Sequence, residues 1–315
     1  MGCLRHIMIS IIICSITPEK FSNITRNYTG LMGDEPFEII GIHDAKSLCE
    51  GYNRGIKKSV GDILIFSHDD IEILSSDFVA RLKNHLMHFD VVGLAGTDKV
   101  VDGWWTHAGV PYLYGQVANP YKAEYVVNFF DYGKTAHQKK VTADGIKMLD
   151  GLFFATKRAV VERVLFDEMN FDGFHCYDTD FTYSAFLAGF SLTACNDIAV
   201  IHDSNGSFDK IFQKYNQRFI DKHAATIDAP EPLAGRPPIH AWDNYPDKAS
   251  VLRSFLPEVQ SNVCRQFVAM FPILIKPPNN TFIRRFYLQG RRFVWRIIRR
   301  AASCMRAMGC WVSGS

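Results

Sequence analysis

At 315 residues, with 47% hydrophobic and 22% charged residues, the chain can bury a large core, which excludes wholesale disorder. A formal net charge of +2 is too small to mark a nucleic-acid binder. No apolar run reaches the roughly 20 residues that cross a bilayer.

Residues 9–15 form a β-branched run and predict a buried first strand. A signal-peptide core fits less well, because the run is short, ends at Ser15-Ile16-Thr17-Pro18 and has no small-residue cleavage site. Residues 19–32 predict a helix, with Pro18 near its start and Gly30 and Gly33 at its end. A second strand follows over 37–43 and closes on Asp44. A helix over 47–59 stops at Gly61, and a third strand over 62–67 runs into His68-Asp69-Asp70. Alternation of this kind predicts an α/β fold with a mostly parallel sheet, in which ligands gather at the carboxyl ends of the strands. Ser15, Asp44 and His68 to Asp70 all stand at such ends.

Further on, 91–96 reads as a strand, and 97–138 as shaped loops or short antiparallel strands rich in Trp, Tyr, Gly and His. Residues 148–155 are apolar around Asp150-Gly151. Helices are expected over 157–164 and 181–188, a closing strand segment over 191–202, and a polar, Pro-rich linker over 227–250. From 281 to 311 the chain carries eight arginines and no acidic residue. On a helix, Arg292, Arg296, Arg299, Arg300 and Arg306 share one face, opposite Phe293, Ile297, Ile298 and Met305. That pattern predicts a basic amphipathic helical region over 251–315, suited to an anionic membrane surface or to packing on the domain.

Three polar clusters invite chemistry. His68-Asp69-Asp70 puts two adjacent carboxylates and an imidazole after a buried strand. Such a group is stabilised by a divalent cation bridging to a diphosphate, or else caps a helix. Asp178 and Asp180 open an apolar helical pattern. Capping explains one of them, and the other can serve as a general base. His202 ends a strand and gains meaning from the first two clusters. Trp104, Trp105, His107, Tyr112 and Tyr114 are flat rings suited to the apolar face of a sugar, or to ordinary core packing. The eight cysteines form no CxxC pair and no zinc spacing, so a reducing, cytoplasmic compartment is expected, with peripheral attachment to a membrane through the basic tail.

In order, Asp44, Gly51-Tyr52-Asn53-Arg54-Gly55-Ile56, Gly61 through Asp70, Leu149-Asp150-Gly151-Leu152, Phe174 through Asp180 and His202-Asp203-Ser204 resemble the family-2-type glycosyltransferases of GT-A fold. The likeness is to a subgroup with a His-x-Asp variant of the DxD motif, and it spans residues 8–225. It implies a Rossmann-like nucleotide-diphospho-sugar transferase domain over 1–226, with a nucleotide half to about residue 100 and an acceptor half beyond. By the same resemblance Asp44 and Asn53 would contact the nucleoside, with Ser15 and Asp69 nearby. His68, Asp70 and His202 would hold Mn2+ or Mg2+. Asp150, Gly151, Trp105, Tyr177 and Asp180 would meet donor sugar or acceptor, and Asp178 would deprotonate the acceptor hydroxyl, giving inversion. The implied partners are a nucleotide-sugar donor and a glycan or glycolipid acceptor, as in polysaccharide or lipopolysaccharide synthesis. Where the family usually carries acids, this chain has His68 and Tyr177. A non-catalytic sugar- or nucleotide-binding protein is the alternative from another class. A sugar nucleotidyltransferase is disfavoured, since no Gly-rich phosphate loop follows the first strand.

Overall fold

The structure is a computed structural model that describes residues 7–109, 111–130, 140–204, 210–228 and 241–256. The expected basic region over 251–315 lies outside the described residues from 257 onward. No helix among the described residues is long and apolar enough to cross a membrane.

The first half alternates as its hydrophobic pattern dictates. Strand β1 (Ile9–Cys14) is isoleucine-rich and almost wholly buried, and helix α1 (Pro18–Met32) begins with Pro18, whose missing N–H costs nothing there. Strand β2 (Phe37–Ile42) follows, then helix α2 (Leu48–Lys58), capped by Ser47, whose hydroxyl accepts from the Glu50 amide at 3.1 Å. Helix α2 lies so close on β1 that a β-carbon at Gly55 would collide with Ile12. Strand β3 (Ile63–Ser67) then leads through the turn at 68–70 into the short strand β4 (Ile71–Ile73) and helix α3 (Phe78–His88).

The remaining elements complete two sheets. They are strands β5 (Val91–Gly93), β6 (Ala95–Thr97), β7 (Leu113–Tyr121), β8 (Glu124–Phe129), β9 (Met148–Leu149), β10 (Phe153–Lys157), β11 (Leu192–Ala194), β12 (Val200–His202) and β13 (Ala241–Tyr245). With them come helices α4 (Arg158–Val161), α5 (Tyr177–Leu187), α6 (Lys210–His223) and α7 (Lys248–Ser254), and a 3-10 turn at Trp105–Ala108. The six-stranded sheet runs β11-β5-β10-β3-β1-β2. It is parallel except for β10, which is antiparallel to both neighbours, so the expected mostly parallel sheet is present. The second sheet runs β13-β8-β7-β12-β4, with β6 joining β7 to β9. One large apolar core fills the space between the sheets and the helices. A smaller one, around Ala118, Val127, Ile201, Val251 and Phe255, seats α7 on the second sheet.

Four sequence expectations change here. The run over 91–96 is two strands in different sheets, because the chain crosses from one to the other at Leu94. The segment over 191–202 likewise splits into β11 and β12 in different sheets. The helix expected from 181 starts at Tyr177, which places both Asp178 and Asp180 in its first turn. Within the stretch expected as a linker, residues 241–245 form β13, an antiparallel partner of β8, and α7 follows.

Candidate active site

The site is assembled by strand register. His68, Asp69 and Asp70 follow β3 and precede β4. Strand β12 pairs antiparallel with β4 so that His202 is opposite Ile71, and the ladder continues with the Asp203 amide donating to the Asp70 carbonyl at 2.8 Å. That register brings His202, 134 residues away in sequence, against His68, with 3.4 Å between Nδ1 of His68 and Nε2 of His202. Asp70 Oδ1 completes a triangle, 3.4 Å from His202 Nε2 and 3.7 Å from His68 Nδ1.

Asp70 is the electrostatic centre of this group. Burial acts to raise its pKa, but the contact and charge of His202, then His68 and Lys20, outweigh burial and bring it down to about 2. Among the described residues its Oδ1 is buried without a well-formed hydrogen bond: His202 Nε2 at 3.4 Å makes a long, poorly directed contact, and His68 Nδ1 at 3.7 Å is out of range. A buried carboxylate oxygen left in that state is unfavourable unless a cation or donor joins it. Two imidazole nitrogens and one carboxylate oxygen around one point match a divalent-metal donor set with open positions, so these residues fit a metal ion. The other convergent group among the described residues, His85, Cys195 and Asp197, differs in kind. There His85 Nε2 already bonds Asp197 at 2.9 Å, deep beside α3.

Asp178 comes to the site from the first turn of helix α5. The residue before helix α5, Cys176, holds φ +58°, a left-handed conformation that costs a non-glycine residue about 1–2 kcal/mol. The sharp turn there directs Tyr177 and Asp178 toward the Asp150-Gly151 turn between β9 and β10. A β-carbon at Gly151 would run into the Tyr177 hydroxyl and stand 2.7 Å from Asp178 Oδ2, so the turn has room only for glycine. Burial, then the Asp150 charge, push the Asp178 carboxyl up to about 7, against the lowering effect of nearby backbone N–H groups. Asp150 itself accepts from Trp105 Nε1 at 2.7 Å and from the Leu152 amide at 2.9 Å.

His68, His202, Asp150, Gly151, Tyr177 and Asp178 open on one cleft of about 550 Å³, within the range of small-molecule sites. Trp104, Trp105, Phe174 and Phe212 form its apolar side, while Asn119 and Asn128 add polar edges. A second cleft of about 540 Å³ lies against Asp69 and Asp70, with Lys20, Arg26 and Asp203 on its walls. Asp70 lines the second cleft, and its Oδ1 lies beside the two imidazoles that line the first.

Several expected residues are placed differently. Asn53 is buried and its amide is spent inside the core, donating to the Phe166 carbonyl at 2.8 Å and to Glu168 at 2.7 Å while accepting from the Phe166 amide at 3.1 Å. It has no free group to offer a nucleoside. Asp180, 1% exposed, accepts from Lys222 and His223 at 2.8 Å each and faces α6 rather than the cleft, because two residues along a helix turn a side chain by some 200°. Asp44 is exposed, lines neither cleft and is gripped by Arg54, with Arg54 Nη2 2.8 Å from its Oδ1 and a second bond at 3.3 Å; that pairing holds its carboxyl below the usual range. Ser15 donates to Asp69 Oδ2 at 2.6 Å, tying the end of β1 to the turn after β3. Of the five flat rings, Trp104 and Trp105 line the cleft. Tyr114 is buried on Asp98, Tyr112 lies under Lys99, and His107 bonds Asp102 beside Trp104.

Sequence reasoning missed Lys20 and Asn119. Lys20 reaches Asp70 Oδ2 at 3.4 Å from the first turn of α1. Asn119 holds the His202 carbonyl at 2.9 Å and the Ser204 carbonyl at 3.0 Å, steadying the end of β12. A single Lys or Asn inside an element carries no pattern that could have flagged it.

Residues 10–223 match the model of a family described as a glycosyltransferase-like family. A search among curated proteins finds no match. Solved structures similar to this chain include a mannosyltransferase from Pyrobaculum calidifontis in complex with GDP-Man and Mn2+, at 10% identity over 96% of this chain and 85% of that one, with a TM-score of 0.46. Residues 1–349 of TarS from S. aureus align at 13% identity over 70% of this chain and 72% of that one, with a TM-score of 0.37.

Proposed function

The chain belongs to the glycosyltransferase-like family, and from that premise we propose that it moves a sugar from a nucleotide-sugar donor to an acceptor hydroxyl with inversion, using Asp178 as general base and a divalent ion held by His68, Asp70 and His202. The observation that carries this reading is the convergence of Asp178 and the two imidazoles on one cleft, with the unsatisfied Asp70 oxygen behind them. The ion, when bound, would neutralise charge on the departing diphosphate. Two imidazole ligands favour Mn2+ over Mg2+, which prefers oxygen donors.

The chain's own residues supply the rest. The Trp104, Trp105, Phe174 and Phe212 side of the cleft offers apolar rings to a glycan or glycolipid acceptor. Asp178 takes the acceptor proton as that oxygen attacks the anomeric carbon and the bond to the diphosphate oxygen breaks on the opposite face. Its raised pKa makes it a stronger base than an ordinary carboxylate while still letting it ionise near neutral pH. Lys20, beside Asp70 in the second cleft, is placed to add positive charge where the leaving group would collect it. Ser15 donates to Asp69, which lines that cleft, and the pair would lie toward the nucleotide.

The test is a panel of nucleotide sugars scored for stabilisation with and without Mn2+, followed by turnover of the best donor by the parent and by Asp178→Asn. Metal-dependent stabilisation together with loss of turnover in the variant supports the reading. Donor binding with no turnover in the parent, over a broad acceptor panel, would favour a binding protein instead.

A further inference from the structure

We propose that Tyr177 is a positioning residue of the metal site, holding His68 in the tautomer whose Nδ1 lone pair faces Asp70 and His202. The inference rests on the metal reading of His68, Asp70 and His202 given above, and adds how one of those ligands is kept ready.

The two ring nitrogens of His68 meet different surroundings. Nε2 is 2.7 Å from the Tyr177 hydroxyl, whereas Nδ1 faces His202 Nε2 at 3.4 Å and Asp70 Oδ1 at 3.7 Å. The Tyr177 hydroxyl has one proton, and the Gly151 carbonyl, an acceptor only, lies 3.3 Å from it. Donation to that carbonyl leaves the phenol oxygen free to accept, and the group at 2.7 Å able to give is the Nε2–H of His68. With the proton on Nε2, Nδ1 presents a lone pair to the open corner of the triangle, as a metal ligand requires. In the reverse arrangement Tyr177 would donate to Nε2, the Gly151 carbonyl would lose this donor, and the Nδ1–H would go to His202 Nε2 at 3.4 Å, leaving Asp70 Oδ1, 3.7 Å from Nδ1, with neither imidazole proton.

The phenol is well held for this task. Tyr177 is 4% exposed, and its ring packs against Tyr52 at 5.7 Å and Phe166 at 6.5 Å between centroids. Gly151 leaves the space the hydroxyl occupies, since any β-carbon there would collide with it. Tyr177 also adjoins Asp178, so consecutive residues of one helix turn orient a metal ligand and the proposed base. That explains why a tyrosine can stand where the resembling family carries an acid: the group is asked to accept one hydrogen bond, not to bear charge.

Two measurements on the full chain test this. Nitrogen NMR of the 15N-histidine-labelled, metal-free protein, with the His68 signals assigned by loss in His68→Gln, reads the tautomer directly. An unprotonated Nδ1 in the wild type is expected, and an Nδ1–H tautomer would overturn the proposal. Mn2+ binding by calorimetry or electron paramagnetic resonance is then compared between wild type and Tyr177→Phe. The expected result is affinity weaker by roughly 10–100-fold and a mixed His68 tautomer in the variant. Unchanged affinity with an unchanged tautomer in a folded variant also overturns it. A wild type that binds no Mn2+ would instead sink the metal reading, a failure visible separately from the tautomer result.

Discussion

Asp150 sits beside Asp178 with both of its own oxygens already engaged, one by Trp105 Nε1 at 2.7 Å and the other by the Leu152 amide at 2.9 Å. Burial, then the neighbouring Asp150 charge, raise the Asp178 carboxyl to about 7.

Asp178→Asn is expected to lower kcat by about 10²–10⁴-fold, the usual contribution of a positioned base. The same change should stabilise the fold at pH 8. The folded pKa of about 7 lies above the unfolded carboxylate value, so the ionised form weakens the native state as pH rises from about 4 through 7. Because Asp178 keeps some contact with solvent, the gain is on the order of 1–2 kcal/mol and should vanish near pH 4. Thermal melts at both pH values check the sign. A variant less stable than the parent at pH 8 contradicts the placement of Asp178 beside Asp150.

The parent's kcat/KM should rise with pH through an apparent pKa near 7, reporting ionisation of Asp178. Asp150→Asn removes the charge that opposes that ionisation, so its ascending limb should move to lower pH. A limb that stays in place would assign it to another group.

Chelation should abolish turnover, and Mn2+ should restore it better than Mg2+, given two imidazoles in the donor set. His202→Ala is expected to raise the Mn2+ concentration needed for half-activity by at least tenfold. Equal activity in the presence of excess chelator would remove the ion from the scheme.

Asn53 separates a binding role from a folding role. Asn53→Ala strands the Phe166 backbone groups and should cost about 2–3 kcal/mol, with the donor KM unchanged. A large rise in KM with normal stability would restore the nucleotide-binding role read from its neighbours in sequence.

The contrast shows what a sequence can and cannot disclose. The β-branched runs at 9–14 and 63–67 announce strands because each alone satisfies a buried pattern, and polar residues at their ends then fall at the sheet's carboxyl edge by topology. That His68, Asp178 and His202 would gather at one cleft, with Asp70 beside the two imidazoles, was legible for that reason, together with the order of motifs around them. The placement of Asn53 and Asp180 was not legible, because residue type and spacing do not tell which way a polar side chain points. Asn53 lies on the core face of α2, and Asp180 is claimed by Lys222 and His223 of α6, some 40 residues onward. The break at Leu94 was invisible for a related reason. Both halves of that run are apolar and buried, so nothing local marks the step between sheets.

The pairing of β12 with β4 has a consequence for how this protein can vary. Strand side chains alternate faces, so a one-residue slip would swing His202 to the reverse of the sheet while leaving most backbone bonds intact. Length changes among the segments joining these two short strands are therefore tolerable in evolution or engineering only where Asn119 and the Asp203–Asp70 bond still lock the frame. A lineage could lose its chemistry through a single misplaced insertion while every residue of the triangle remained intact in its sequence.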